Sequence, residues 1–154
     1  MGTALHPATA QDVPAVRDLV KAAFSKYVER IGKPPAPMLV DYDDLLKTQS
    51  LFVLRGGDDG RLVGTIVLEM DKDSKLVHIG NLAVDPAAQG RGFGRALLEH
   101  AERVALANNM TTLALYTNVK MHENFGLYAK MGFREVERRT ELSYERVYFR
   151  KDLP

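Results

Sequence analysis

The sequence predicts an α+β domain on a mixed central sheet, antiparallel in its first half and gaining a parallel pair of strands in its second. Three observations carry this. The β-rich runs 51–55 and 62–70 flank the turn Gly56-Gly57-Asp58-Asp59-Gly60, and a second turn, Asp71-Lys72-Asp73-Ser74, leads into the run 76–84, which is the pattern of antiparallel hairpins. After Val84, strand and helix alternate, so a helical crossover makes two strands parallel. Between them, the segment 89–94, Gln-Gly-Arg-Gly-Phe-Gly, joins an alternating apolar strand to an amphipathic stretch at 95–108.

The element order reads βααββ, then βαβαββ. In the first helix Val13, Val16, Leu19, Val20, Ala23, Phe24 and Tyr27 fall at helical spacing, with Asp12 placed to cap it. Lys33-Pro34-Pro35-Ala36-Pro37 is too short for a domain linker and reads as a loop. A short helix at about 41–48 follows, Asp41 its cap and Asp43 and Asp44 favouring its dipole. Its acids could instead attract a cationic amine; capping is the simpler account. Beyond the hairpin strands come a helix at 92–108, a strand at 112–117, a helix at 122–131, and strands near 133–139 and 146–151. About four helices therefore flank the sheet. No internal repeat interrupts this order.

At 154 residues with 45% apolar content, the chain suits a single domain, 1–154, with an ordinary core. Lys plus Arg number 21 against 20 for Asp plus Glu, and a net charge of +1 offers no global field for nucleic acid or anionic membrane. Lys120, Arg138, Arg139, Arg146, Arg150 and Lys151 are mixed with acids and aliphatics and read as solvated strand faces. Zero cysteines exclude disulfides, thiolate nucleophiles and cysteine-ligated metals, and suit a reducing cytoplasm. The N-terminus, Met-Gly-Thr-Ala-Leu-His-Pro, has neither basic n-region nor apolar h-region, and no window approaches the roughly 18 apolar residues of a membrane span. A soluble cytoplasmic protein without nucleic-acid or membrane partners is expected, and a homodimer stays open. His6, His100 and His122 are too dispersed to suggest a metal site, so no metal is expected.

Gly90, Gly92 and Gly94 leave no side chain to block a ligand. The amides opening the next helix lack intrahelical acceptors and sit at the positive end of its dipole, a junction suited to phosphate. Arg91 and Arg95 add charge. A Walker loop would end in Gly-Lys-Ser/Thr, and a dinucleotide fingerprint would want Gly where Arg95 stands. A merely tight turn is the plain alternative. If the strand ending at Val84 and the strand 112–117 diverge where this turn leaves the sheet, unpaired backbone groups there would grip a ligand.

Two segments carry a family resemblance. One is Asn81-Leu82-Ala83-Val84-Asp85-Pro86 followed by Gln89-Gly90-Arg91-Gly92-Phe93-Gly94; the other is Asn124-Phe125-Gly126-Leu127-Tyr128-Ala129-Lys130-Met131-Gly132-Phe133. In order and spacing they resemble the GNAT superfamily of acyl-CoA-dependent N-acyltransferases. The first matches its pyrophosphate signature, Arg/Gln-x-x-Gly-x-Gly/Ala, and the second its Asn and Tyr four residues apart before Gly-Phe. Residues 1–50 match only in helix placement. The resemblance implies a GNAT-like sheet with a splayed central parallel pair. It implies that amides of Gln89, Gly90, Arg91, Gly92, Gly94 and Arg95 bind the pyrophosphate of acetyl-CoA. Leu82 and Val84 would pair through their backbone with the pantetheine arm as an added strand, the Leu82 amide facing the thioester oxygen. Asn124 would reach the cofactor. Tyr128 would hydrogen-bond the sulfur and protonate the departing thiolate, in direct transfer with no acyl-enzyme. Tyr128 also lies at helical spacing from Met121 and Phe125 and could be a core aromatic; Asn124 could cap or face water. Their i, i+4 spacing places both on one helix face.

An amine with a lysine-like pKa of about 10.4 is neutral in only about one molecule per few thousand at pH 7, and losing its proton costs about 4 to 5 kcal/mol. A base near the acyl carbon therefore helps, and the strands offer His78, with Glu69 placed to orient it if the hairpin closes symmetrically. A half-buried strand histidine and a hairpin-end glutamate are the bland alternative. The function expected is N-acetyl transfer from acetyl-CoA to a primary amine of a small molecule, amino-acid-like acceptors included. A protein lysine or N-terminal acetyltransferase and a non-catalytic acyl-CoA sensor are the alternatives.

Overall fold

The seven strands are β1 (Ala4–Pro7), β2 (Leu51–Gly56), β3 (Arg61–Asp71), β4 (Leu76–Val84), β5 (Thr112–Asn118), β6 (Arg134–Glu141) and β7 (Tyr144–Asp152). The α-helices are α1 (Val13–Ile31), α2 (Tyr42–Lys47), α3 (Phe93–Ala107) and α4 (Phe125–Lys130). This computed structural model describes residues 4–48, 50–56 and 59–154. Met1 to Thr3, Gln49, Gly57 and Asp58 fall outside them, so the opening of the N-terminal reading and the centre of the turn expected at 56–60 lie beyond the described residues. The sheet is mixed, in the order β1-β2-β3-β4-β5-β7-β6, and β4 and β5 form its parallel pair. By contacts the chain groups into two units, Met1–Leu68 with Asn81–Leu97 and Glu69–Gly80 with Leu98–Pro154.

In the first unit, β1 pairs antiparallel with β2 and β2 with β3, the latter with a register shift at Leu54/Arg55. All seven apolar positions predicted for α1 are buried, because a 3.6-residue period keeps them on one face. Gly32, at φ +90, ends the helix with its amide bonded to the Val28 carbonyl at 2.8 Å. Asp12 stands at the N-cap position of α1, as expected, but its carboxylate bonds none of that helix's amides. It closes a 3-10 turn, Ala10–Asp12, and its carboxylate accepts from the Thr9 amide at 2.8 Å and the Thr9 hydroxyl at 3.2 Å, and from Arg55 of β2. A helical φ of −80 and ψ of −20 turns its side chain away from the amides of α1. Asp41 does cap α2, accepting from the amides of Asp43 and Asp44 at 3.0 and 3.3 Å.

In the second unit, β5 pairs antiparallel with β7 from Thr112↔Asp152 to Asn118↔Arg146, and β6 pairs with β7 through the hairpin that closes at Glu141↔Tyr144. That hairpin turns on Leu142 (φ +50) and Ser143 (φ +68), the two positive angles of a type I′ turn. Leu113, Leu115, Val147 and Phe149 are buried on one face of these strands. His78, Tyr116, Arg146 and Tyr148 occupy the other, as the two-residue period of a strand requires. The parallel ladder runs from Leu76↔Thr112 to Ile79↔Leu115, while β4 continues to Val84 and β5 to Asn118. The helix expected at 122–131 begins as a 3-10 turn, His122–Asn124, and becomes α-helical only from Phe125.

Candidate active site

The glycine turn is held from both ends. After β4, the Asp85 amide donates to the Val63 carbonyl at 2.8 Å, and its carboxylate accepts from the Ala87 amide at 2.9 Å with Arg61 3.6 Å away. A 3-10 turn, Pro86–Ala88, then delivers the chain to Gln89. Gly90 and Gly92 both have φ of +83, and a Cβ at either would meet no heavy atom within 4 Å. Backbone conformation, not crowding, therefore demands glycine there. The Ala96 amide donates to the Gly92 carbonyl at 3.0 Å, which opens α3 and leaves the amides of Phe93 and Gly94 ahead of the first intrahelical donor.

Close glycine contacts fix the first turns of α3 against the strands. A Cβ at Gly56 would lie 3.1 Å from the Phe93 ring, and one at Gly64 3.0 Å from Leu97 Cδ1. Gln89 and Arg91 are exposed. A bare turn at a helix N-terminus with flanking cations is the local chemistry that suits a diphosphate. Just upstream, Asn81 adopts φ +50, a left-handed kink inside β4 ahead of the half-buried Leu82 and Val84. Asn is the residue type that tolerates such a φ, the one local signal of the kink in the sequence.

The second unit carries the titratable candidates. His78, half-buried on β4, has its ring 5.3 Å from that of Tyr116 on β5. Burial holds its pKa below the ordinary histidine value; the nearby Glu69 carboxylate pulls it up and the Arg146 guanidinium pushes it further down. His78 is thus neutral at pH 7 and able to accept a proton. Tyr128 is 5% exposed, its ring 5.3 Å from Phe149 and 6.2 Å from Phe133. That packing fixes the ring, which a core aromatic and a positioned acid would equally need. Asn124 is exposed and makes no side-chain cap to α4. Since it ends the 3-10 turn, it does not share a continuous α-helical face with Tyr128.

The acids in the first turn of α2 are engaged. Asp43 pairs with Arg17 at 2.6 Å and Asp44 with Lys47 at 3.2 Å. Beside them a cavity of about 250 Å³ is lined by Arg17, Val20, Lys21, Met38, Val40 and Tyr42. Burial raises the Tyr42 phenol pKa, and its hydroxyl donates to the Pro37 carbonyl at 2.8 Å. Two of the cations read as solvated are not. Arg146 is 8% exposed, and Lys151 bonds Glu102 at 3.1 Å. Alternation along β7 hints at the row of Arg146 and Tyr148, but only cross-strand register brings Tyr116 and His78 beside them. Among the described residues no group of three or more His, Cys, Asp or Glu is placed to hold a metal, and no helix is long and apolar enough to cross a membrane.

The family model described as "Acetyltransferase (GNAT) family" matches residues 13–133. An IAA acetyltransferase of Azospirillum brasilense is 31% identical over 112 residues, 73% of this chain and 72% of that protein. A mycothiol acetyltransferase of Jonesia denitrificans is 33% identical over 86 residues, 56% of this chain but only 27% of that protein, so the chain matches about a quarter of that relative's length. Among solved structures, a PaiA N-acetyltransferase of Thermoplasma acidophilum in complex with coenzyme A shares the fold at a TM-score of 0.79 and 17% identity, over 99% of this chain and 100% of that one. With its mixed sheet, its glycine turn at the mouth of α3 and the family match over most of its length, the chain belongs to the GNAT acetyltransferase family.

Proposed function

We propose that residues 1–154 form one acetyl-CoA-dependent N-acetyltransferase domain, cytoplasmic, that moves acetyl to a primary amine of a small molecule by direct attack. The observation that carries the reading is the open left-handed pair Gly90 and Gly92 ahead of the α3 amides, a cradle with room for a diphosphate. Backbone amides of the segment 89–95 hold that group, and Leu82 and Val84 align the pantetheine arm. Asn124 contacts the cofactor. Neutral His78, tuned by Glu69, takes one proton from the ammonium; the freed amine nitrogen then bonds to the thioester carbon, the C–S bond breaks, Tyr128 protonates the thiolate, and the remaining nitrogen proton restores the phenol.

Release of free thiol from acetyl-CoA, followed with pooled small amines and with pooled peptides, tests this. Release with small amines supports it. Release only with peptides assigns a protein acetyltransferase, and coenzyme A binding without release under any condition assigns a sensor.

A further inference from the structure

The face that carries His78 also holds Arg146, a cation that acetyl transfer does not use. Arg146 lies on β7 opposite Asn118 of β5 and Arg139 of β6. Its guanidinium stacks over the Tyr116 ring, 4.3 Å from the centroid, and stands 5.8 Å from the ring of Tyr144. Glu141, its ion-pair partner among the described residues, is 3.6 Å away, too far for a hydrogen bond. No hydrogen bond from this guanidinium forms within the described residues.

Five N–H donors in a planar fork are costly to hold against a protein face without acceptors. The Arg146 side chain keeps 10% of its surface exposed. Its neighbour makes the contrast. Arg139 also lies over an aromatic ring, Tyr148 at 4.2 Å, yet donates to Glu137 at 2.8 Å. Arg146 stacks on its ring without such a hydrogen bond among the described residues.

His78 leans on the same Tyr116 ring from the β4 side. Two opposite charges act on it, Glu69 from one side chain and Arg146 from another. A zwitterion matches that arrangement: its ammonium faces Glu69, its carboxylate meets the guanidinium, and the imidazole receives the proton. Resting on the transferase reading above, the geometry points to an acceptor that bears a carboxylate beside its amine, a free amino acid or a compound of that shape, anchored by Arg146. A bidentate carboxylate–guanidinium pair supplies the recognition, beside the packed rings of Tyr116 and Tyr148, 5.4 Å between centroids.

Thiol release from acetyl-CoA is measured with pooled free α-amino acids, with their α-carboxamides and with their decarboxylated amines. The acids are expected to react with a kcat/KM about 50-fold above the carboxamides, the worth of one charge-assisted pair. Arg146→Gln is expected to collapse that ratio toward one through KM, with Arg146→Lys intermediate and coenzyme A affinity by calorimetry unchanged in both. Carboxamides or diamines reacting as well as acids, or Arg146→Gln slowing acids and carboxamides alike, overturns the assignment. Release with no amine at all overturns the transferase reading itself and this inference with it.

Discussion

Replacing Gly92 by alanine separates the conformation of the turn from the packing around it. At φ +83 with open space where the Cβ would go, the substitution meets no steric clash, so its cost is that of the backbone alone. An L-residue in the left-handed region costs about 1–2 kcal/mol, and the stiffer unfolded chain returns about 0.4–1 kcal/mol. The net loss is roughly 1 kcal/mol, a fall in Tm of about 2–4 °C for a chain of this size. If the turn relaxes out of the left-handed region to relieve the strain, its amides swing away from the diphosphate. Losing one such charge-assisted bond costs about 1.5–3 kcal/mol, so the Kd for coenzyme A rises about 10- to 100-fold. Calorimetric titration with coenzyme A and with pantetheine, which lacks the diphosphate, isolates this effect. Only the first affinity should fall, and Gly92→Asn should be milder because Asn tolerates positive φ. Wild-type affinity for coenzyme A in Gly92→Ala, with Tm lowered, would refute the role given to the turn.

His78→Gln is expected to lower kcat/KM most toward the acid side of neutrality and least near pH 10, where the amine loses its own proton; a loss uniform across pH removes the imidazole from proton transfer. Because the folded-state pKa of His78 is depressed, the unfolded chain binds a proton that the native chain refuses. Urea unfolding should therefore find stability falling as pH drops below about 6.5, and falling less in the Gln variant. Leu142, 83% exposed at positive φ, and Ser143 form a type I′ turn without its preferred residues, so Leu142→Asn with Ser143→Gly should raise stability by about 1 kcal/mol at unchanged m-value. Asp12→Ala strands Arg55 and the Thr9 amide and should cost about 2–3 kcal/mol by urea denaturation; a cost below 0.5 kcal/mol, typical of surface sites, would show that the pair is not coupled to folding.

Local chemistry in the sequence determined the elements and the glycine turn. The buried stripe of α1, the cap at Asp41, the span of β4 and the bare glycines 90 and 92 each depend on conformational preferences that act within a few residues. Tertiary structure decided what distant residues do to one another. Asp12 looks like a helix cap until Arg55, 43 residues away, claims its carboxylate. Arg146 looks solvated until the register Tyr116↔Tyr148 lays Tyr116 beneath its guanidinium, and the parallel register His78↔Ala114 gives His78 the ring it rests against. The kink at Asn81 and the short parallel ladder are likewise properties of the assembled sheet. Periodicity specifies which face a strand residue occupies, whereas register, set by contacts across the whole chain, specifies its neighbours and thereby its charge, burial and proton affinity.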